Sequence, residues 1–200
     1  MTVFERVFWG VAIAGFGLAA ACAQGTSIDA TVLQKANGGD AAAQVQAGEL
    51  YAKAAATEQD RDVIPQDWKL VETWYRKAAE QGYIPGELHL AALYRDGGGK
   101  TIARDMVQAA AWYRKAAEQG DTGAQGTVGM LYMLGQGVAR SDGDAYFWLD
   151  VAANTPGPNQ GQYIANRQTV GMRLTTTEVD DIHYRAMKWK AAHPPKAPVN

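Results

Sequence analysis

One nine-residue block occurs twice in this chain. It reads Trp74-Tyr75-Arg76-Lys77-Ala78-Ala79-Glu80-Gln81-Gly82 in the first copy and Trp112-Tyr113-Arg114-Lys115-Ala116-Ala117-Glu118-Gln119-Gly120 in the second, 38 positions later. A degenerate third copy begins 36 positions after Trp112 and reads Trp148-Leu149-Asp150-Val151-Ala152-Ala153. Such a period is typical of stacked structural units, because each unit buries its apolar face only against its neighbours. The recurrence therefore predicts a repeat array.

Helices, not strands, fit the repeating unit. Alanine is abundant and β-branched residues are sparse between 36 and 153, which favours helix. Apolar residues within 71–79 recur at i, i+3, i+4, i+7 and i+8, which places them on one helix face. The recurring aromatic side chains could line a ligand site, but helical spacing favours core packing. They are Tyr51, Trp74, Tyr75, Tyr94, Trp112, Tyr113, Tyr132 and Trp148.

Small residues and glycines also recur at matching positions. Gly48, Ala91 and Gly129 occupy equivalent places in the first helix of each unit, where we expect them to let a neighbouring helix approach closely. Glycine pairs at 97 and 99, and at 135 and 137, fall where a tight turn between helices requires positive φ. The chain is thus predicted to alternate helices with short glycine turns.

The predicted helices cover 27–35, 40–53, 66–81, 85–96, 104–119, 122–134, 142–153 and 161–173. A last helix begins at a capping box of Thr175 and Glu178 and runs to 191. We predict that 55–66, which contains Pro65, is an inserted surface loop, since proline disfavours helix just before it. The array then spans 27–153, capping helices span 154–191, and 192–200 forms a disordered tail.

The N-terminus has a different composition from the array. Arg6 precedes an apolar run from Val7 to Cys22, with small residues at its end, which predicts a secretory signal peptide over 1–23. Cys22 is the only cysteine, so no intramolecular disulfide can form. It is either the lipidated residue of a lipoprotein signal or part of an ordinary cleavage site before Gln24. Both alternatives predict export, to a bacterial periplasm or to its membrane surface.

The motif set resembles the Sel-one-like repeat family. The third unit carries the front half of the family pattern, with Ala124-Gln125, Gly129, Leu131-Tyr132, Gly135 and Gly137-Val138. The first two units carry the back half, Lys-Ala-Ala-Glu-Gln-Gly. The resemblance implies an all-α fold: a right-handed, tetratricopeptide-like α/α superhelix of about three helix pairs plus terminal capping helices. Gly86-Glu87 departs from the pattern, because other units have Ala-Gln there.

The resemblance also implies a role. Family members are mostly adaptors that bind proteins or peptides, and the first helix of each pair tends to line the concave face. The non-repeated residues there are the candidate protein-binding residues: Gln46, Glu49, Lys53, His89, Arg95, Thr127, Met130 and Met133. We expect a non-enzymatic scaffold in the cell envelope, with no cofactor and no metal. It would touch the membrane only through a lipid on Cys22.

Other functions find less support in the residues. The formal net charge of −2 argues against a nucleic-acid partner, which usually requires a basic face. Gly99-Lys100-Thr101 lacks the remaining glycine of a phosphate loop, because Tyr94 stands at that position. The three histidines have no metal-binding spacing. The sequence also shows no recognisable set of catalytic nucleophile, base and acid. Two alternatives stay open: an envelope enzyme or inhibitor acting on cell-wall material, and a structural subunit of a membrane-anchored complex.

Overall fold

The computed structural model describes residues 30–57 and 64–193, and these residues form nine α-helices. Within those ranges the only β-type pairing is an isolated bridge between Gly98 and Ile102. The all-α prediction is therefore confirmed. The helices are α1 (Ala30–Asn37), α2 (Ala41–Thr57), α3 (Ile64–Glu80), α4 (Ile84–Asp96), α5 (Met106–Glu118), α6 (Thr122–Leu134), α7 (Asp142–Ala153), α8 (Gln160–Gly171) and α9 (Thr176–Ala192).

The helices stack in chain order as a solenoid. From α1 to α8, each helix packs against the next, which gives the pairs α2–α3, α4–α5 and α6–α7. First helices of neighbouring units also touch, since α2 contacts α4 and α6 contacts α8. Helix α9 packs on α7, so α8 and α9 cover the last pair. Across the described ranges, no helix combines the length and apolarity that a bilayer crossing needs.

One buried apolar seam joins the repeats. It runs from Leu33 on α1 to Trp148 on α7 and includes Trp74 and Trp112. A second cluster, around Leu149, continues it into α8 and α9. The aromatic side chains of the repeat are buried in these clusters, apart from Tyr132, which is partly buried. Core packing of the aromatic residues is therefore confirmed, as a repeat array requires, because each repeat is stabilised at its interfaces with its neighbours.

The small residues of the first helices are close-approach points, as predicted. A β-carbon added at Gly129 would lie 2.7 Å from Leu149 Cγ on α7. One added at Gly48 would overlap the Tyr75 ring on α3, and Ala91 is completely buried. Larger residues at these positions would force the two helices of a pair apart.

Polar caps and glycines define the helix ends. Asp121 accepts a hydrogen bond from the Ala124 amide at 2.7 Å, and the predicted capping box of Thr175 and Glu178 starts α9. Because the hydrogen bonds from Thr175 stabilise the charged form, the pKa of Glu178 lies below its usual value. The four predicted turn glycines all have positive φ, between 54° and 80°. Each turn therefore needs the conformation that glycine adopts at least cost.

A glutamine network links the repeats and explains why Glu87 is tolerated. Gln44 and Gln125 each donate from Nε2 to a carbonyl eight residues earlier, at 3.1 and 3.2 Å. Glu87 stands at the equivalent position and is also buried. It accepts a hydrogen bond from Gln119 Nε2 at 2.8 Å, just as Gln44 accepts from Gln81 at 2.8 Å. In the first two units, the block's terminal glutamine thus links the second helix to the first helix of the same unit.

The structure corrects the limits of the predicted insertion. Helix α2 continues to Thr57 and α3 already begins at Ile64, so both ends of the 55–66 loop are helical. Ala55 is buried, which explains why α2 extends further than predicted. Pro65 occupies the first turn of α3, where its missing N–H removes no helical hydrogen bond. At the other end, α9 includes Ala192, one residue beyond the predicted helix.

Several predictions fall on residues outside the described ranges. These are the signal peptide over 1–23 with Cys22, the centre of the insertion at 58–63, and the tail from 194 onwards. They remain predictions.

Candidate protein-binding surface

The predicted binding residues lie on α2, α4 and α6, the first helices of the three pairs. We call this set the first-helix surface, and its members are Gln46, Glu49, Lys53, His89, Arg95, Thr127, Met130 and Met133. Gln46, Glu49, Lys53, Arg95 and Met130 are exposed, whereas the other three are partly buried. The structure thus distinguishes side chains that a partner could reach directly from side chains that support them.

Glu49 and His89 come together between neighbouring first helices. His89 Nε2 lies 3.2 Å from Glu49 Oε1, and the imidazole stacks on the Tyr75 ring with centroids 4.8 Å apart. Burial raises the pKa of Tyr75 to about 12, and the nearby Glu49 carboxylate adds to the rise. The Tyr75 hydroxyl therefore stays protonated at physiological pH. This cluster orients a carboxylate and an imidazole on a rigid aromatic base.

Arg95 is held in place by two neighbours. Its guanidinium donates from Nε and Nη2 to the two carboxylate oxygens of Asp96, at 2.9 and 2.7 Å. It also donates from Nη1 to the Tyr113 hydroxyl at 3.0 Å. The hydrogen bond from Arg95 lowers the pKa of Asp96, so the pair is fully charged near neutral pH. Arg95 therefore presents a positioned charge and not a mobile one.

The α6 end of the first-helix surface is apolar. Thr127 Oγ1 donates back to the Gly123 carbonyl of its own helix at 2.9 Å. Met130 is 38% exposed and Leu134 is 54% exposed, whereas Met133 packs partly against the second apolar cluster. Exposed methionine suits adaptable binding surfaces because its side chain is flexible and polarisable. Met130 and Leu134 thus supply the accessible apolar contacts here, and Leu134 was absent from the predicted set.

A second feature, an arginine–tyrosine link, was missed in the sequence. Arg114 Nη1 approaches the Tyr132 hydroxyl at 3.5 Å, and Arg76 makes the same bond to Tyr94, also 18 residues later. Burial raises the pKa of Tyr94 to about 12, with Glu72 adding to the rise. The signal was available, because both full copies of the block have an arginine two positions after the tryptophan. Spacing alone did not show that the arginine contacts the tyrosine on the first helix of the next unit.

A buried charged cluster secures the C-terminal helices. Asp150 on α7 is completely buried, with one carboxylate oxygen 2.5 Å from Arg167 Nη1 of α8. Its other oxygen lies 2.7 Å from His183 Nδ1 of α9. In the described part of the chain, no serine, threonine or cysteine is hydrogen-bonded to His183, and no group of acids and histidines could hold a metal ion. The cluster joins three helices.

Comparisons with known proteins agree with this architecture. The Sel1 repeat profile matches residues 73–83, 85–121 and 124–154. The solved Sel1 repeat protein from Oxalobacter formigenes is 34% identical, with a TM-score of 0.52, over 62% of this chain and 87% of that one. A search of the curated proteins finds no match.

A second solved structure supports the fold alone. It is a protective antigen present in uropathogenic Escherichia coli strains, which displays an SLR fold. The identity is 23% over 84% of this chain, with a TM-score of 0.51. This chain spans 44% of the antigen's length, so the antigen's activity is not carried over.

The profile matches fall on helices α3 to α7, which form most of the stacked pairs. The Oxalobacter formigenes protein, at 34% identity, is covered over 87% of its length. Together with the buried tryptophan blocks and glycine turns, these matches show that the chain belongs to the Sel1 repeat family.

Proposed function

We propose that this chain is a non-enzymatic scaffold of the bacterial cell envelope that holds a protein or peptide on its first-helix surface. Sel1 repeat proteins are generally scaffolds for protein–protein interaction. The observation that supports this is the continuous buried seam beneath that surface. It preorganises both the Glu49–His89 pair and the apolar Met130 end, so binding costs little conformational entropy.

The two ends of the surface define the kind of partner. The α2–α4 end offers Glu49, His89 and the anchored Arg95, which suit polar groups of a partner. The α6 end offers Met130 and Leu134, which suit an apolar side chain. An extended peptide or a single amphipathic helix with one apolar end fits this arrangement.

Site-specific photo-crosslinking tests the surface. A photoreactive amino acid is placed at Gln46 or at Met130, and at exposed Lys69 on α3 as the control. We expect the same partner to crosslink from Gln46 and from Met130 and not from Lys69. Equal crosslinking from Lys69, or none from either test position, would argue against this surface.

A substitution then measures the contribution of the apolar end. Met130→Glu should weaken binding of that partner by roughly tenfold, since burying an unpaired charge costs more than about 1.4 kcal/mol. Met133 is less suitable because it packs partly into the second cluster, where a charge would also disturb folding. Unchanged affinity in Met130→Glu, with unchanged thermal stability, would exclude Met130 from the interface.

We also propose that the protein works outside the cytoplasm. The support is the basic, apolar and small-residue order of 1–23. Mass spectrometry of the mature N-terminus is expected to find either a diacylglycerol on Cys22 or a chain that begins at Gln24. An intact Met1 on the protein recovered from cells would exclude both forms of export.

A further inference from the structure

The contact between α5 and α6 contains a cavity of about 250 Å³, which we call the α5–α6 cavity. Its walls are mainly apolar and include Val128 and Leu131 of α6 and Val138 of the turn that follows. Among the described residues that line it, Arg114 is the only charged side chain and Tyr132 supplies the only hydroxyl. An apolar cavity with a few convergent polar groups is the usual form of a small-molecule site.

The equivalent contact one unit earlier, between α3 and α4, is completed by a carboxylate. Glu72 Oε1 accepts hydrogen bonds from Arg76 Nη2 at 2.6 Å and from the Tyr94 hydroxyl at 2.5 Å. Charge-assisted hydrogen bonds of this kind are the strong ones, and guanidinium is a preferred partner of carboxylate. The chain itself therefore shows how an arginine–tyrosine pair at such a contact holds a carboxylate.

The α5–α6 contact keeps this pair but lacks the carboxylate. Arg114 and Tyr132 stand 38 positions after the first arginine and tyrosine, whereas Ala110 stands 38 positions after the glutamate. Arg114 Nη1 and the Tyr132 hydroxyl are 3.5 Å apart, longer than the usual distance of about 2.7–3.2 Å. Ala110 lines the cavity beside them. The cavity thus lies where the preceding contact has its glutamate side chain.

The other contacts of Arg114 leave it able to bind an anion. Its Nε donates to Glu118 at 2.9 Å, but both side chains are exposed, so this ion pair contributes little. The Asp144 carboxylate also acts on Arg114, yet neither acid lines the cavity. Apart from the contact to Tyr132, Nη1 and Nη2 make no hydrogen bond within residues 30–57 and 64–193. Both therefore remain available to a ligand carboxylate, which guanidinium can bind through two parallel bonds.

We propose that the α5–α6 cavity binds a small aliphatic monocarboxylate. The carboxylate lies between Arg114 and Tyr132, and the aliphatic chain packs against Val128, Leu131 and Val138. The volume is sufficient, because an apolar cavity of roughly 150 Å³ already holds benzene. The apolar walls offer no partner to a second charged group, which excludes dicarboxylates. The cavity shares no residue with the first-helix surface, so the inference does not depend on the partner of that surface.

Methyl NMR spectra of the full chain test the proposal, with isocaproate as the probe and isocaproamide as its uncharged counterpart. We expect isocaproate to shift the methyl resonances of Val128, Leu131 and Val138 and to saturate in the millimolar range, an affinity that a ligand of this size can reach. Isocaproamide should bind much more weakly. Arg114→Met should weaken isocaproate binding by roughly tenfold, and Tyr132→Phe by a smaller factor, since hydrogen bonds from a charged donor are the stronger ones.

A carboxylate placed inside the cavity gives a further variant. Ala110→Glu restores the glutamate of the preceding contact, so its carboxylate should bond Arg114 and Tyr132 and abolish isocaproate binding. Gln108→Glu is the matched control, because it adds the same charge at an exposed position of α5 outside the cavity lining. It should bind isocaproate as the unsubstituted chain does. If Ala110→Glu loses helix content by circular dichroism, Arg114→Met and Tyr132→Phe decide the question.

Several results would overturn the proposal. One is the absence of a saturable shift at the three methyl-bearing residues in the millimolar range. Another is equal binding of isocaproamide, which would mean that the carboxylate is not recognised. A third is unchanged isocaproate affinity in both Arg114→Met and Tyr132→Phe. Tighter binding of a tripeptide that ends in leucine would assign the cavity to the C-terminus of a protein instead.

Discussion

Replacing Trp112 with alanine is expected to lower the free energy of unfolding by about 3–5 kcal/mol, the cost of removing a large aromatic side chain from a core. Trp112 is 7% exposed and lies in the main apolar cluster. The Lys115 ammonium also lies over the Trp112 ring, 3.7 Å from its centroid. Such a cation–π contact contributes a further fraction of a kcal/mol. The helix sits in the middle pair, so the cavity would weaken both flanking interfaces.

Urea denaturation followed by circular dichroism measures this loss. Val107→Ala is the matched control on the same helix, because Val107 is 67% exposed and surface substitutions usually change stability by less than about 0.5 kcal/mol. A loss below about 1 kcal/mol for Trp112→Ala would mean that the tryptophan blocks do not hold the array together.

Replacing Arg167 with methionine is expected to cost about 3 kcal/mol, the lower end of the range for breaking a buried pair. The substitution keeps an unbranched apolar stem but removes the guanidinium that faces Asp150 at 2.5 Å. Asp150 is completely buried, so within the described residues its carboxylate would keep the side-chain contacts to His183 and Asn154 alone. Because Arg167 itself is 24% exposed, part of the original interaction is screened by solvent, which favours the lower figure.

A double substitution separates charge burial from packing. Asp150→Leu with Arg167→Met removes both charges and should recover most of the stability lost in Arg167→Met, since an apolar replacement of a buried pair is often neutral. Equilibrium denaturation of the two single variants and the double variant gives the coupling. Additive losses, with no recovery in the double variant, would show that the residues do not act as a pair.

Much of the fold was predictable because it rests on local chemistry. The spacing of Trp74, Tyr75 and Ala78 identified a buried helix face, and the glycine pairs identified the turns. The close approach at Gly129 also followed from its position in the repeat. Errors occurred where local rules conflicted with packing, as at Ala55, where burial extends α2 into a segment that looks polar.

The candidate sites were harder to predict because their members are far apart in the chain. Glu49 and His89 were both named, but spacing did not show that they meet across two helices. Trp189 packs edge to face on Trp148, although it lies beyond the last repeat. This contact depends on how α9 lies over α7, and no repeat period describes that angle.

By itself, the sequence determined the all-α repeat architecture, the buried tryptophan blocks and the turns, because each of these depends on side chains within one or two helical turns. Only the tertiary structure decided which polar groups meet: Gln119 with Glu87, Arg167 and His183 with Asp150, and the rings around Trp189. The physical reason is that periodicity specifies which face of a helix is buried. The partners on that face depend on the crossing of helices that are separated by tens of residues in the chain.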